Sequence, residues 1–170
     1  MPTLPEFHVR DNKQPDYRGK DMRAGFSLDF WVQLESLKDA QGILDSRNNT
    51  GKGILVELTQ AGTMRITIND GRQESSWDCD PGVLHPGKLQ HIGINVDAGP
   101  KIITFVVDGI LCDGGDCRQF GWGRFSPTIR APNGGDTLKV AGCVRTLRLY
   151  TRALRTSETV GNFRAGYPGT

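Results

Sequence analysis

The segment from Leu89 to Asp113 constrains the fold most, because two alternating apolar runs flank the short turn at residues 97–101. Alternation with a period of two over about six residues is typical of a strand that is buried on one face. The Gly-Pro turn predicts a hairpin, and Asp108-Gly109 predicts a second tight turn. We therefore expect a meander of strands with one face in a core and the other free for binding. The core-facing residues are Ile92, Ile94 and Val96, then Ile103, Phe105 and Val107.

The same alternation predicts strands along most of the chain. Asp70-Gly71 predicts another hairpin, because such a turn needs positive φ at its centre. One helix is predicted over residues 156–164, with Thr156 or Ser157 as its N-cap. The other predicted strands are 6–10, 25–35, 41–45, 54–58, 64–68, 73–77, 138–141 and 144–150. On the strand at 25–35 the residues expected to face outward are Ser27, Asp29, Trp31, Gln33 and Glu35.

Composition favours an all-β protein. The chain has 170 residues, among them 22 glycines and 9 prolines, which suits short strands joined by turns better than long helices. We expect a single domain over residues 1–170, built as a two-sheet antiparallel β-sandwich or a barrel. A net charge of +2 without a basic stripe argues against a nucleic-acid partner. No apolar run is long enough to insert across a membrane.

The 4 cysteines allow three pairings. Cys112 and Cys117 bracket a short loop that a disulfide would close, and such a bond would indicate an oxidising compartment. Free thiols are the equally weighted alternative. Zinc is disfavoured, because neither the cysteine spacing nor the three histidines match a ligand pattern.

Three blocks of the sequence resemble one known family. Residues 26–32 are similar to its early strand, residues 88–96 with 105–109 to its central hairpin, and residues 144–158 to its final strand and the turn after it. The family is the laminin G-like jelly rolls of the concanavalin A-like lectin/glucanase superfamily. The resemblance implies a concanavalin A-like jelly-roll sandwich with a short helical turn near the C-terminus. It also implies a sugar-binding module of a secreted glycan-active enzyme, or a protein-binding module of a surface protein.

A structural calcium ion is possible in this family, but one motif departs from its pattern. The closing strand often carries an acidic residue where this chain has Arg145 and Thr146. Asp11, Asp16 and Asp21 could supply the oxygen ligands that calcium prefers, although solvated loop acids are the favoured interpretation. No cofactor is otherwise required.

Catalysis is disfavoured, and we predict that the protein is not an enzyme. Glucanases on this fold need carboxylates about 5–9.5 Å apart across the scissile bond, which alternate positions on one strand provide. Glu57 stands alone on its strand, and Asp29 and Glu35 are too widely spaced. No nucleophile elbow or zinc-protease motif is present.

Sugar binding requires an exposed aromatic ring and planar polar groups beside it. Trp31 is interpreted as a packing residue, whereas Trp77 suits a platform or packing equally well. Trp122 lies between two glycines, which let the backbone bend or approach a ligand, and it can alternatively cap the end of the sandwich. Arg118 and Arg124 bracket Trp122 with forked donors for hydroxyls or carboxylates. The loop residues that could complete the site are Arg47, Asp70, Arg72, Asp80 and Asp116.

These observations predict a non-catalytic carbohydrate-binding module, an ancillary domain of a larger secreted or surface protein that is extracellular or periplasmic. Its partners would be a glycan or oligosaccharide and the neighbouring domains of the parent protein. Two alternatives remain: a protein-interaction or structural module packed on neighbouring domains, and a small glycan hydrolase or lyase with a dispersed site.

Overall fold

A computed structural model describes residues 25–129, 132–135 and 137–169. The predicted first strand at 6–10 and the candidate calcium ligands Asp11, Asp16 and Asp21 lie outside the described residues. Within these ranges, no helix is long and apolar enough to cross a membrane.

The described residues form strands and one helix. The strands in chain order are β1 (Gly25–Gln33), β2 (Gln41–Asp45), β3 (Gly53–Leu58), β4 (Met64–Asn69), β5 (Glu74–Asp78), β6 (Leu89–Asp97), β7 (Ile102–Val107), β8 (Ile110–Leu111), β9 (Gly123–Arg124), β10 (Lys139–Val140) and β11 (Val144–Tyr150). The helix is α1 (Thr156–Arg164), which has the predicted bounds.

The strands form two antiparallel sheets packed face to face, which confirms the predicted jelly-roll β-sandwich. One sheet has the order β11-β1-β6-β7-β8, with β9 also pairing with β7, and the other has the order β10-β2-β3-β4-β5. The hairpin of β6 and β7 pairs Ile94 with Phe105, so the core-facing residues of its two strands share one face. Both side chains are fully buried, as the alternation predicts.

The outer face of the six-stranded sheet is not free for binding, and the sequence expectation for this face is wrong. Ser27, Asp29 and Trp31 alternate outward on β1, yet all three are buried. The helix α1 lies across this face, where Phe163 stacks on Trp31 with ring centroids 5.9 Å apart. The outward positions of β1 are therefore a second, partly polar interior beneath the helix. Trp31 has the packing role that was expected of it.

Hydrogen bonds anchor α1 to the sheet through Asp29, whose exposed fraction is 1%. One carboxylate oxygen of Asp29 accepts hydrogen bonds from His91 Nε2 at 3.0 Å and from Asn162 Nδ2 at 2.9 Å. Arg148 Nη1 lies 3.7 Å from the other oxygen. Beside this group, Asn95 Nδ2 donates to Thr159 Oγ1 at 3.2 Å. The helix thus docks through specific polar contacts as well as apolar packing.

The start of α1 differs from the prediction. The N-cap is Arg155, not Thr156 or Ser157. The Glu158 carboxylate accepts the Arg155 backbone N–H at 2.8 Å and two hydrogen bonds from the Arg152 guanidinium. The acidic side chain in the first helical turn therefore satisfies the backbone donor, so the hydroxyl of an N-cap residue is not needed.

The predicted disulfide between Cys112 and Cys117 is not formed, and all four cysteines are free. Cys112 points into the sandwich and belongs to the hydrophobic core, whereas Cys117 is exposed. The loop between them therefore leaves one thiol in the core and the other at the surface. Short spacing along the chain does not bring their sulfur atoms together.

Candidate functional site

Residues 112–129 close the open edge of the sandwich between β5 and β7. The strand β9 in this segment pairs with β7, and Gly123 lies opposite Ile103. On the other side, Trp77 Nε1 at the end of β5 donates to the Gly121 carbonyl at 3.0 Å. The backbone N–H of Ser126 donates to Ser75 Oγ at 3.0 Å. We call residues 112–129 the edge segment.

An aromatic pair with an arginine stands on the outer surface of the edge segment. The rings of Phe120 and Trp122 stack with centroids 5.0 Å apart and an interplanar angle of 27°. The Arg124 guanidinium lies 5.9 Å from the centroid of the Trp122 ring. Phe120 is 48% exposed, Trp122 is half-buried and Arg124 is exposed. We call Phe120, Trp122 and Arg124 the platform.

Glycines alternate with the platform residues because the inner side of the segment has no room for side chains. A Cβ atom on Gly121 would lie 1.8 Å from the Cys112 carbonyl oxygen, and one on Gly123 would lie 2.1 Å from the Trp77 ring. The Phe-Gly-Trp-Gly-Arg sequence therefore places its glycines against the sandwich and its large side chains outward.

Trp77 and Arg118 lie beneath the platform rather than on it. The Arg118 guanidinium lies 4.5 Å from the centroid of the Trp77 ring, and its Nη2 donates to Asp80 Oδ1 at 2.5 Å and to the Asp78 carbonyl at 3.1 Å. Asp80 is buried and also accepts the backbone N–H of Gly114 at 2.9 Å. These residues hold the edge segment against β5, so we assign Trp77, Arg118 and Asp80 a supporting role.

Asp70 and Arg72 lie in the turn between β4 and β5. The Asp70 carboxylate accepts backbone N–H groups of Arg72 and Gln73, each at 2.9 Å, which makes Asp70 a turn-forming residue. The Gln73 side chain contacts Ser126, which follows Arg124 by two residues. The exposed side chain of Arg72 thus lies on a turn that contacts the edge segment. Asp116 is also exposed, in the turn after β8.

Arg47 is separate from the platform. It follows β2, which is three strand positions from β5 in the five-stranded sheet, about 14 Å at the usual strand spacing. Its Nε and Nη2 donate to the two oxygens of Asp45, both at 3.0 Å. Burial favours the neutral form of Asp45, but the Arg47 hydrogen bonds hold the pKa of this carboxyl below its ordinary value. Arg47 is therefore already paired with a carboxylate.

Sequence reasoning identified Trp122 and Arg124 but did not name Phe120 as a site residue. The signal was present, because Phe120 and Trp122 are two residues apart with a glycine between them, and alternate residues of an extended segment share a face. What the pattern could not give is the direction in which that face points.

One depression lies away from the platform. A cleft of about 660 Å³ at the far end of β1 is lined by Gln33, Glu35, Asp39 and Arg145 among others, and sequence reasoning did not identify it. Both of its carboxylates are exposed to solvent.

Among the described residues there is no cluster of three histidine, cysteine or acidic side chains that could hold a metal ion.

The protein is a lectin-like β-sandwich. It has two packed sheets, a helix across one outer face and an exposed platform. The chain belongs to the concanavalin A-like lectin/glucanases superfamily, whose laminin G-type family model matches residues 13–159. This match confirms the resemblance seen in the sequence. No curated protein sequence matches the chain significantly.

Solved structures share this fold at low sequence identity. The binding domain of botulinum neurotoxin serotype G matches with a TM-score of 0.65 and 15% identity, over 85% of this chain and 37% of that chain. The binding domain of botulinum neurotoxin DC, in complex with rat synaptotagmin II, matches with a TM-score of 0.61 and 14% identity, over 92% and 39%. The CBM40 of Ruminococcus gnavus IT-sialidase, bound to α2,3-sialyllactose, matches with a TM-score of 0.59 and 14% identity, over 95% of both chains. The chain thus spans well under half of the toxin domains but nearly all of the sialidase module.

Proposed function

We propose that the protein is a non-catalytic carbohydrate-binding module and that the platform is its sugar-binding site. The observation that carries this proposal is the exposed stack of Phe120 on Trp122 with the Arg124 guanidinium beside it. The two stacked rings form a contiguous apolar surface beside an exposed arginine, and an apolar surface rimmed by polar groups is typical of an interaction site.

The chemistry of the platform suits a sugar ring. The C–H faces of a pyranose pack on aromatic rings, because such rings offer a flat apolar surface. Arg124 supplies several N–H donors in a planar fork, which matches a pair of hydroxyls or a carboxylate. We propose that one sugar residue lies on Trp122 and that Arg124 contacts its polar substituents, with a preference for an acidic sugar. The sialyllactose complex of the sialidase module, which has the same fold, supports an acidic glycan as the first probe.

The biological setting is part of the proposal. We propose a single domain over residues 1–170 that serves as an ancillary module of a larger secreted or surface protein, and that acts outside the cytoplasm. Support comes from the fold shared with binding domains and a sialidase module.

A protein-interaction module is the second candidate, because one apolar patch is exposed on the same side of the sandwich. Ile110 is 72% exposed and Leu111 is 42% exposed on the short edge strand β8. Both line a depression of about 460 Å³ together with Val83. A protein ligand would place an apolar side chain there.

Titration with α2,3-sialyllactose and with lactose tests the sugar site. We expect saturable binding by calorimetry, tighter for sialyllactose, and a change in tryptophan fluorescence. Trp122→Ala should weaken binding about ten-fold or more, since about 1.4 kcal/mol of lost stacking corresponds to that factor. Trp122→Phe should retain most of the affinity but lose most of the fluorescence change, because the flat ring remains and the indole does not.

Arg47→Ala is the matched control, because it removes an exposed arginine away from the platform and should leave the affinity unchanged. Equal affinity of wild type and Trp122→Ala for the sugars would refute the platform as the site. Absence of binding to these sugars and to a wider panel of neutral and acidic oligosaccharides, by a folded protein, would refute the glycan function and favour the protein-interaction alternative.

A further inference from the structure

We propose that Cys79 and Cys112 form a disulfide bond that joins the two sheets when the chain folds under oxidising conditions. Neither residue belongs to the platform, and both are buried, whereas Cys117 is exposed.

The two cysteines face the same core from opposite sheets. Cys79 directly follows β5, and its backbone N–H donates to the Met64 carbonyl at 2.8 Å. Cys112 directly follows β8, and its backbone N–H donates to the Phe105 carbonyl at 2.9 Å. Met64 and Phe105 are both fully buried core residues, and the exposed fractions of Cys79 and Cys112 are 0% and 6%. Each cysteine thus extends an edge strand and points inward.

Direct contacts connect the segments that carry the two thiols. The Asp80 carboxylate accepts the Gly114 backbone N–H at 2.9 Å, so the residue after Cys79 bonds to the second residue after Cys112. Arg118 then donates both to the Asp78 carbonyl and to the Asp80 carboxylate. These bonds hold the edges of the two sheets together next to both cysteines, which is the arrangement that a disulfide between the sheets requires.

The electrostatics of the two thiols agree with this placement. Burial raises the pKa of the Cys79 thiol to about 12, and the neighbouring Cys112 thiol adds to the rise. Burial likewise raises the pKa of Cys112 to about 11. Since the thiolate is the reacting species, both groups react slowly once they are buried. The bond therefore forms during folding, before the edge segment covers the thiols.

The reaction requires a disulfide oxidant such as oxidised glutathione. The thiolate of one cysteine attacks the glutathione disulfide, which forms a mixed disulfide and releases one glutathione thiolate. The thiolate of the other cysteine then attacks the protein sulfur and releases the second glutathione. Two protein thiols lose their protons and are oxidised to one S–S bond, and one glutathione disulfide is reduced to two thiols.

Refolding from urea with oxidised and reduced glutathione tests the proposal. The intact protein should lose the mass of two hydrogen atoms, and peptide mapping should find Cys79 joined to Cys112. The melting temperature should rise by roughly 10 °C relative to the reduced protein, because a cross-link across a long loop restricts the unfolded chain. Addition of reductant during a second unfolding and refolding cycle should abolish the rise.

A double variant with Cys117→Ser and Cys143→Ser should keep the full effect, because it retains only the proposed pair. Cys79→Ser should abolish both the cross-link and the rise in melting temperature. A map that shows Cys112 joined to Cys117, or four reactive thiols after refolding in the oxidising buffer, would overturn the proposal. The double variant retains both proposed cysteines, so mapping of its cross-link tests the proposal even if Cys79→Ser folds poorly.

Discussion

Replacement of Asp29 by alanine is expected to lower the free energy of unfolding by about 3–5 kcal/mol, the usual cost of removing one partner from a buried charged network. Asp29 lies between β1 and the helix and accepts hydrogen bonds from His91 and Asn162, with Arg148 nearby. Without the carboxylate, the His91 ring N–H loses its acceptor in an interior where water does not replace it, and the Asn162 amide keeps only the Tyr150 hydroxyl as an acceptor. A buried donor left unsatisfied costs about 1–3 kcal/mol by itself.

Urea unfolding monitored by circular dichroism measures the effect. Asp29→Asn should give a smaller loss, because one carbonyl oxygen remains to accept a hydrogen bond in the same place. Asp39→Ala is the matched control: it removes an exposed aspartate and should change stability by less than about 0.5 kcal/mol. If Asp29→Ala were as stable as Asp39→Ala, the polar contacts beneath the helix would not be what holds it to the sheet.

Gly93→Ala is expected to destabilise the protein by about 2 kcal/mol, because it forces the helix away from the sheet. Gly93 lies opposite Asp29 on β6, and a Cβ atom there would be 2.1 Å from Thr159 Cγ2. Thr159 is fully buried, so its methyl group cannot turn into solvent. A single added methyl group should therefore act as an overpacking substitution, although alanine suits a strand at least as well as glycine elsewhere.

The double variant Gly93→Ala with Thr159→Ser tests this interpretation directly. Serine removes the clashing methyl group but keeps the hydroxyl that contacts Asn95. The double variant should regain at least half of the stability lost by Gly93→Ala in urea unfolding, and Thr159→Ser alone should cost about 1 kcal/mol. Additive losses in the double variant would show that the clash is not the cause, since a shared contact produces non-additivity.

The two-layer architecture could be predicted from local pattern. The alternation of apolar residues identified the hairpin of β6 and β7 and its buried face. These residues are Ile92, Ile94 and Val96 on the first strand and Ile103 and Phe105 on the second. The strand at 144–150 and the helix at 156–164 appear with their predicted bounds. These features depend on neighbours within a few residues along the chain, so period-two and helical patterns determine them.

The candidate site could be predicted only in part. Trp122 and Arg124 were identified from their glycine-flanked, polar surroundings, and the structure places them side by side on the surface. Trp77 and Arg118 also have polar neighbours in the sequence, yet they contact each other underneath. The difference is that the edge segment folds over Trp77, and which side of a loop is covered depends on contacts between residues more than 40 positions apart.

The sequence by itself determined most of the described strands, which face of each central strand is apolar and where the single described helix lies, because these follow from side-chain periodicity and turn chemistry. Only the tertiary structure decided that the helix covers the outer face of β1, that Cys112 is buried while Cys117 is exposed, and that Phe120 stacks on Trp122 at the surface. Each of these depends on the packing of distant segments against one another, and a pattern confined to one segment carries no information about what will lie on top of it.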